Sequence, residues 1–139
     1  MPECNKSKRF VIHKHQAKRA GLHYDIRFTY KYSDKKDCVL LSFATRKWID
    51  FFEKKVSRIL LFRQEDHGLD WLDFEGVIPS GLYGHGSLEI WDTGTISFEK
   101  DEFETRGLLI VTFNGQKLKD TLVFLHMKDN EYLLFRKKK

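Results

Sequence analysis

The sequence predicts an all-β protein: a small antiparallel β-barrel with one or two short helical turns. Two observations carry that expectation. Short apolar or β-branched runs recur along the 139 residues, separated by clusters of turn-forming residues. These runs are also too numerous for an α/β chain of this length, and closing them into a barrel removes the exposed edges an open sheet would leave.

Residues 1–9 carry Lys6, Lys8 and Arg9 and read as a flexible basic arm. Candidate strands follow at Val11 to Lys14, Tyr24 to Tyr30, Cys38 to Ala44 and Arg58 to Arg63, each rich in apolar or β-branched residues. Trp48, Phe51 and Phe52 have helical spacing, which predicts a turn or two of helix within Trp48 to Lys55. Phe74 to Gly86, crowded with glycines and holding Pro79, reads as an ordered loop. Further strands are expected at Ser87 to Trp91, Thr95 to Phe98, Leu108 to Phe113, Leu122 to Met127 and Tyr132 to Phe135. Tyr32 to Asp37, Asp92-Thr-Gly94, Asn114-Gly115 and Asp129-Asn130 supply the turns, so consecutive antiparallel pairing is expected. A basic tail, residues 136–139, ends the chain.

The length suits one domain spanning 1–139. With 41% hydrophobic and 32% charged residues, the composition is that of a soluble globular protein, not a disordered or membrane-embedded one. No apolar run approaches the roughly 20 residues needed to span a bilayer, and the N-terminus lacks a signal-peptide core, so a cytosolic protein is expected. Cys4 and Cys38 stand far apart and form no metal-binding pair, which reads as two free thiols. A net charge of +5 favours an anionic partner.

On an extended strand, His23, Asp25 and Arg27 project to one face while Tyr24, Ile26 and Phe28 project to the other. With His15 nearby, two imidazoles and a carboxylate could form a metal site, and donors of this kind suit Mn²⁺ or Zn²⁺. A surface histidine beside a structural ion pair explains the spacing equally well. Arg27 could grip two phosphate oxygens beside such a cation, while a direct ion pair with Asp25 is less expected at alternating positions. His67, where a strand opens into a loop, reads by itself as structural more often than as functional. The sequence contains neither a phosphate-binding Gly-rich loop ending in Lys-Ser/Thr nor a Gly-x-Ser-x-Gly elbow.

Phe10-Val-Ile-His-Lys-His15, Leu22-His-Tyr-Asp-Ile-Arg-Phe28, Glu65-Asp-His67, Phe74-Glu-Gly-Val-Ile-Pro-Ser-Gly-Leu-Tyr-Gly-His-Gly86 and Ile90-Trp-Asp-Thr-Gly94 together resemble the 3′-phosphoesterase domain of bacterial DNA ligase D and its stand-alone archaeal and bacterial relatives. The resemblance covers nearly the whole chain. It implies a β-barrel and a Mn²⁺-dependent enzyme, with Zn²⁺ or Co²⁺ as substitutes, that heals 3′ ends in non-homologous end joining. Such enzymes remove a 3′-terminal ribonucleoside to leave a 3′-phosphate, then remove the phosphate to leave a 3′-hydroxyl. Matched motif by motif, His15, His23 and Asp25 become metal ligands, Arg27 and His67 hold the scissile phosphate, and Glu65 joins the active-site shell. Lys47, after Ser42-Phe-Ala-Thr-Arg46, matches a basic residue near the phosphate.

The chain also departs from the family pattern. Ala20-Gly21 lengthen the turn before the His-Tyr-Asp motif, Trp71 stands where ligase-linked relatives carry Tyr, and His13 replaces a glutamine. His13 is read as an outer-shell donor near the phosphate rather than a ligand. The expected substrates are DNA or RNA-containing primer 3′ ends, met by a nucleoid-associated monomer with a separate ligase or polymerase as partner. The competing reading is a basic β-barrel that binds nucleic acid ends without chemistry.

Overall fold

Among the described residues, 8–79 and 86–138 of the computed structural model, nine strands alternate with three short helical turns. In order they are β1 (Arg9–Ala17), β2 (Gly21–Tyr30), β3 (Val39–Thr45), α1 (Trp48–Phe52), β4 (Arg58–His67), a 3-10 turn over Leu69–Asp73, β5 (Gly76–Ile78), β6 (Gly86–Glu102), α2 (Phe103–Arg106), β7 (Leu108–Gly115), β8 (Lys119–Lys128) and β9 (Glu131–Arg136). They form one antiparallel sheet in the order β1-β2-β3-β4-β9-β8-β7-β6-β5. A further β1–β6 pairing joins its ends into a ring of strands, with β5 added on β6. The ring of strands is what the strand-rich sequence predicts, but the short strand β5 keeps an open edge, so closure is incomplete. None of the described helices is long and apolar enough to cross a membrane.

Strand alternation fills the ring with aromatic side chains. Phe10, Ile12, Ile26, Phe28, Phe43, Phe113, Phe124 and Leu134 are fully or almost fully buried in one cluster. Phe28 touches four other rings, among them Phe124 at 5.3 Å between centroids and Phe43 at 6.0 Å. Such edge and offset contacts add to the free energy gained by removing the rings from water. Unusually, β2 is buried on both faces from His23 to Tyr30. Its inner face meets the aromatic core, and its outer face carries the polar cluster described below.

Two segments depart furthest from the sequence reading. The expected strands Ser87 to Trp91 and Thr95 to Phe98 are parts of one continuous β6, and Asp92-Thr-Gly94 is not a turn. The Asp92 carboxylate instead accepts backbone N–H bonds from Gln116, Lys117 and Leu118 at 2.8–3.2 Å and so shapes the β7–β8 connection. The side chain has turn chemistry, but it applies it to a loop remote in sequence. Within the expected loop Phe74 to Gly86, residues 76–78 form β5 on β6, and residues 80–85 lie outside the described residues.

The smaller elements follow local chemistry. At Asn114-Gly115 the turn begins rather than centres, since the Gly115 N–H donates to the Leu118 carbonyl at 2.7 Å. Asp129-Asn130 joins β8 to β9, with Asp129 at φ 50, a left-handed position that Asp tolerates. The helical turn α2 was not expected. It ends on Gly107 at φ 65, where a Cβ would collide with His126. Helix α1 stops at Phe52, short of the expected Lys55, and Arg136 pins it by donating to the Phe51 carbonyl at 2.8 Å and to Asp120 at 2.9 Å.

Where the two basic ends adjoin the sheet, Arg9 and Arg136 are structural residues. Residues 1–7 of the expected arm lie outside the described residues, whereas Arg9 opens β1 and pairs with Asp73 at 2.7 Å. Cys38 is disulfide-bonded, contrary to the free thiol expected, because separation along the chain does not report separation in space. Replacing Asp92 with Ala should cost about 3 kcal/mol, since it strips a buried acceptor from three N–H groups. Urea unfolding of Asp92→Ala against the parent measures that loss.

Candidate active site

The outer face of β1, β2 and β3 collects the polar residues that the alternation predicts. Across β1 and β2, His13 lies opposite Asp25 and His15 opposite His23. Across β2 and β3, Arg27 lies opposite Ser42. His13, His15, His23, Asp25, Arg27 and Ser42 are all buried. The apolar side chains Leu69, Trp71 and Leu72 of the 3-10 turn pack over Val11 and Leu40 on the same face.

Asp25 is the hub. Its Oδ2 accepts from His15 Nδ1 at 2.8 Å and from Arg27 Nη2 at 3.2 Å. Its Oδ1 has His23 Nε2 at 3.3 Å, within ion-pair range but without the alignment of a hydrogen bond, so among the described residues this buried oxygen has no hydrogen-bond donor. Burial pushes the carboxyl pKa up, but the His15 and His23 rings and the Arg27 charge outweigh it and hold Asp25 well below the usual carboxylate range. The carboxylate is therefore ionised, although it is cut off from water.

His15, His23 and Asp25 each offer a ligand atom, and these atoms lie within 4.8 Å of one another. Nitrogen and oxygen ligands about 2.1 Å from a divalent ion are separated by roughly 3–3.5 Å in tetrahedral or octahedral geometry, so a small contraction would close the site. The residues fit such an ion, which would also bring a positive charge to the buried Asp25 Oδ1 that lacks a hydrogen-bond donor among the described residues.

Arg27 is fixed from several sides. Its Nε donates to Ser42 Oγ at 3.0 Å, and that hydroxyl donates to Gln64 Oε1 at 2.7 Å. Its Nη1 donates to His13 Nδ1 at 2.7 Å. The Arg27–Asp25 pair at 3.2 Å, less expected from alternating positions, forms because the long guanidinium folds back along its own strand. His13 donates from Nε2 to the Phe74 carbonyl at 2.9 Å. Burial, then the Arg27 charge, lowers its pKa to about 4, which keeps the ring neutral. His13 thus sits behind Arg27, bonded by protein at both ring nitrogens, and is not among the three clustered ligands.

His67 reaches this face through a bulge. Ser42 pairs with Gln64, but Leu40 pairs with His67, so β4 carries one more residue than β3 across this step. Leu40 belongs to the outer-face cluster, and His67, opposite it, meets Trp71 edge-on at 5.8 Å between ring centroids. Trp71 also lies 5.8 Å from the Arg27 guanidinium carbon, so one indole adjoins both expected phosphate-holding residues. His67 Nδ1 donates to the Glu65 carbonyl at 2.8 Å, which leaves Nε2 as the lone-pair nitrogen of the neutral ring. Burial, followed by the Arg27 charge, lowers its pKa.

The two remaining expected residues stand apart from the buried cluster. The Glu65 side chain is exposed, and it is its backbone carbonyl that serves His67. Lys47 is exposed just before α1, its N–H on Thr45 Oγ1 at 3.0 Å. Among the described residues, no hydrogen bond or ion pair ties its ammonium to the cluster. Ser42, Gln64 and the Phe74 carbonyl, which orient Arg27 and His13, were missed by the sequence reading. Ser42 could have been found by continuing the β2–β3 hairpin register from the Tyr32 to Asp37 turn, whereas Gln64 and Phe74 are brought in by longer-range packing.

Comparison with known proteins gives the family. A model of the DNA Ligase D 3′-phosphoesterase domain matches residues 13–126. The multifunctional non-homologous end joining protein LigD of Mycolicibacterium smegmatis is 34% identical over 148 aligned positions, covering 99% of this chain and 18% of that protein. The multifunctional non-homologous end joining DNA repair protein LigD of Mycobacterium tuberculosis H37Rv is 36% identical over 131 positions, 93% of this chain and 16% of its own length. The LigD protein of Pseudomonas aeruginosa is 38% identical over 112 positions, 79% of this chain and 12% of its own. The chain spans less than a fifth of each of these relatives. With the match running from His13 in β1 to His126 in β8, and so through every residue of the buried cluster, the chain belongs to the DNA ligase D 3′-phosphoesterase domain family.

Proposed function

We propose that this domain hydrolyses phosphoesters at nucleic acid 3′ ends, removing a 3′-terminal ribonucleoside and then the 3′-phosphate left behind, so that a 3′-hydroxyl remains for joining. The observation that carries this reading is the buried His15, His23 and Asp25 cluster, with an acceptor lacking a hydrogen-bond donor among the described residues, beside a guanidinium fixed on three sides. Nitrogen and oxygen donors without thiolate suit Mn²⁺, with Zn²⁺ or Co²⁺ as substitutes. When bound, the divalent ion supplies Lewis-acid stabilisation of charge on the scissile phosphate.

The protein's own groups supply the rest. Arg27 is preorganised by Ser42, His13 and Asp25, so its charge needs no rearrangement as negative charge grows on the phosphate oxygens. Ser42 and Gln64 hold the guanidinium plane and are positioning residues. His67, neutral in the free protein, gains a proton when an anionic phosphate offsets the Arg27 charge that lowers its pKa. Its Nε2–H then binds a phosphate oxygen or protonates the leaving oxygen. The net charge of +5 favours approach of an anionic strand. The named role of the relatives in end joining supports a ligase as the consumer of the healed end.

A primer bearing one 3′-terminal ribonucleotide, incubated with Mn²⁺ or with EDTA, tests the reaction. EDTA should abolish both steps, and His15→Ala or His67→Ala should slow them about 10²-fold or more. Salt-sensitive binding without turnover would instead establish a non-catalytic end-binding module. Arg27→Lys, which keeps the charge but loses the planar fork, should lower kcat by about 10²–10³. In an NMR titration, the His67 ring should protonate below 6.5, its ordinary value, and inorganic phosphate should raise that midpoint, because the anion favours the charged ring.

A further inference from the structure

Alternation along β4 would, without interruption, aim His67 at the wrong face. Ile59 and Leu61 enter the aromatic core, and Arg63, opposite the core residue Phe43, lies on that side with its guanidinium carbon 4.8 Å from the Phe103 ring centre. Gln64 points the other way, to Ser42. A regular strand would then send Asp66 outward with Gln64 and His67 inward with Arg63. The extra residue of the bulge reverses this, pairing His67 with Leu40 on the outer face and leaving Asp66, exposed to solvent, on the side of Arg63 and Tyr32.

There Asp66 is gripped at both carboxylate oxygens. The Tyr32 hydroxyl donates to Oδ2 at 2.7 Å and Arg63 Nη2 donates to Oδ1 at 3.1 Å, while the same Nη2 also donates to Tyr32 Oη at 2.7 Å. Tyr32 packs against Tyr30 and Phe103, which ties the triangle to the core. Burial and the bond to Asp66 push the Tyr32 pKa up to about 12, so the phenol remains a donor at any ordinary pH.

We infer that Asp66 is a positioning residue: held by Tyr32 and Arg63, it fixes the β4 bulge that presents His67 to the active-site face. A bulge forfeits ladder pairing, so an anchor for Asp66 sets which register persists. The inference rests on the proposed function, in which His67 contacts the phosphate.

The test combines turnover on a 3′-phosphate primer with NMR of the His67 ring and its contact to Trp71, in Asp66→Ala, Asp66→Asn, His67→Ala and the Asp66→Ala/His67→Ala double variant. Asp66→Ala should lower kcat about 10²-fold and abolish the His67–Trp71 contact, while Asp66→Asn, which keeps an acceptor for Tyr32, should recover most of both. In the His67→Ala background, Asp66→Ala should have no further effect, because both act through one side chain. A His67–Trp71 contact that survives in Asp66→Ala, or fully additive losses, would overturn the inference. If the parent protein has no phosphoesterase activity yet the contact still vanishes in Asp66→Ala, the proposed function fails and the positioning role stands. Should Asp66→Ala not unfold cooperatively in urea, Tyr32→Phe, which removes one donor and leaves Arg63, takes its place: loss of the His67–Trp71 contact supports the inference and its survival overturns it.

Discussion

The polar half of this molecule answers to one ionised carboxylate held out of water. Asp25 is fully buried, and a charge so placed is tolerated only if its surroundings are built to meet it. His15, His23 and Arg27 meet it directly. Ser42, His13 and Gln64 are then needed to orient Arg27, and the Phe74 carbonyl is needed to orient His13. One buried charge thus organises side chains from four strands and the segment after the 3-10 turn, and among the described residues one of its two oxygens still lacks a hydrogen-bond donor.

The sheet can meet that demand because its two faces are given to different work. Inside the ring, phenylalanines and tyrosines exclude water and stiffen the strands. Outside, on β1 to β3, the alternate positions of the same strands carry the charged and imidazole groups. Each catalytic candidate on β2 therefore has a core residue as its immediate neighbour, and the rigidity of the core is passed directly to the site. The pairing of β1 with both β2 and β6 holds His13 and His15 in register from two sides.

Irregularities complete what regular pairing begins. The β4 bulge moves His67 to the outer face, and the 3-10 turn places Trp71 against both His67 and Arg27. Asp92, with turn chemistry, stays inside a strand and organises a loop more than twenty residues away. Bulges and side-chain caps of this kind cost local pairing and persist because tertiary contacts over-determine them.

Most strands, and what one face of β2 carries, were legible along the chain, because period-two alternation acts between neighbours and needs no partner to be read. His23, Asp25 and Arg27 share a face, as their spacing requires. Family motifs then joined His15 and His67 to that face. Folding in three dimensions settled that Arg27 is tied to Asp25 and His13, that β6 runs unbroken through Asp92-Thr-Gly94, and that β5 and α2 exist. It also settled the register of β4 against β3. The cause is common to all of these: each depends on which strand lies alongside, and cross-strand register, bulges and buried ion pairs are set by contacts between residues remote in the chain, to which local propensity is blind.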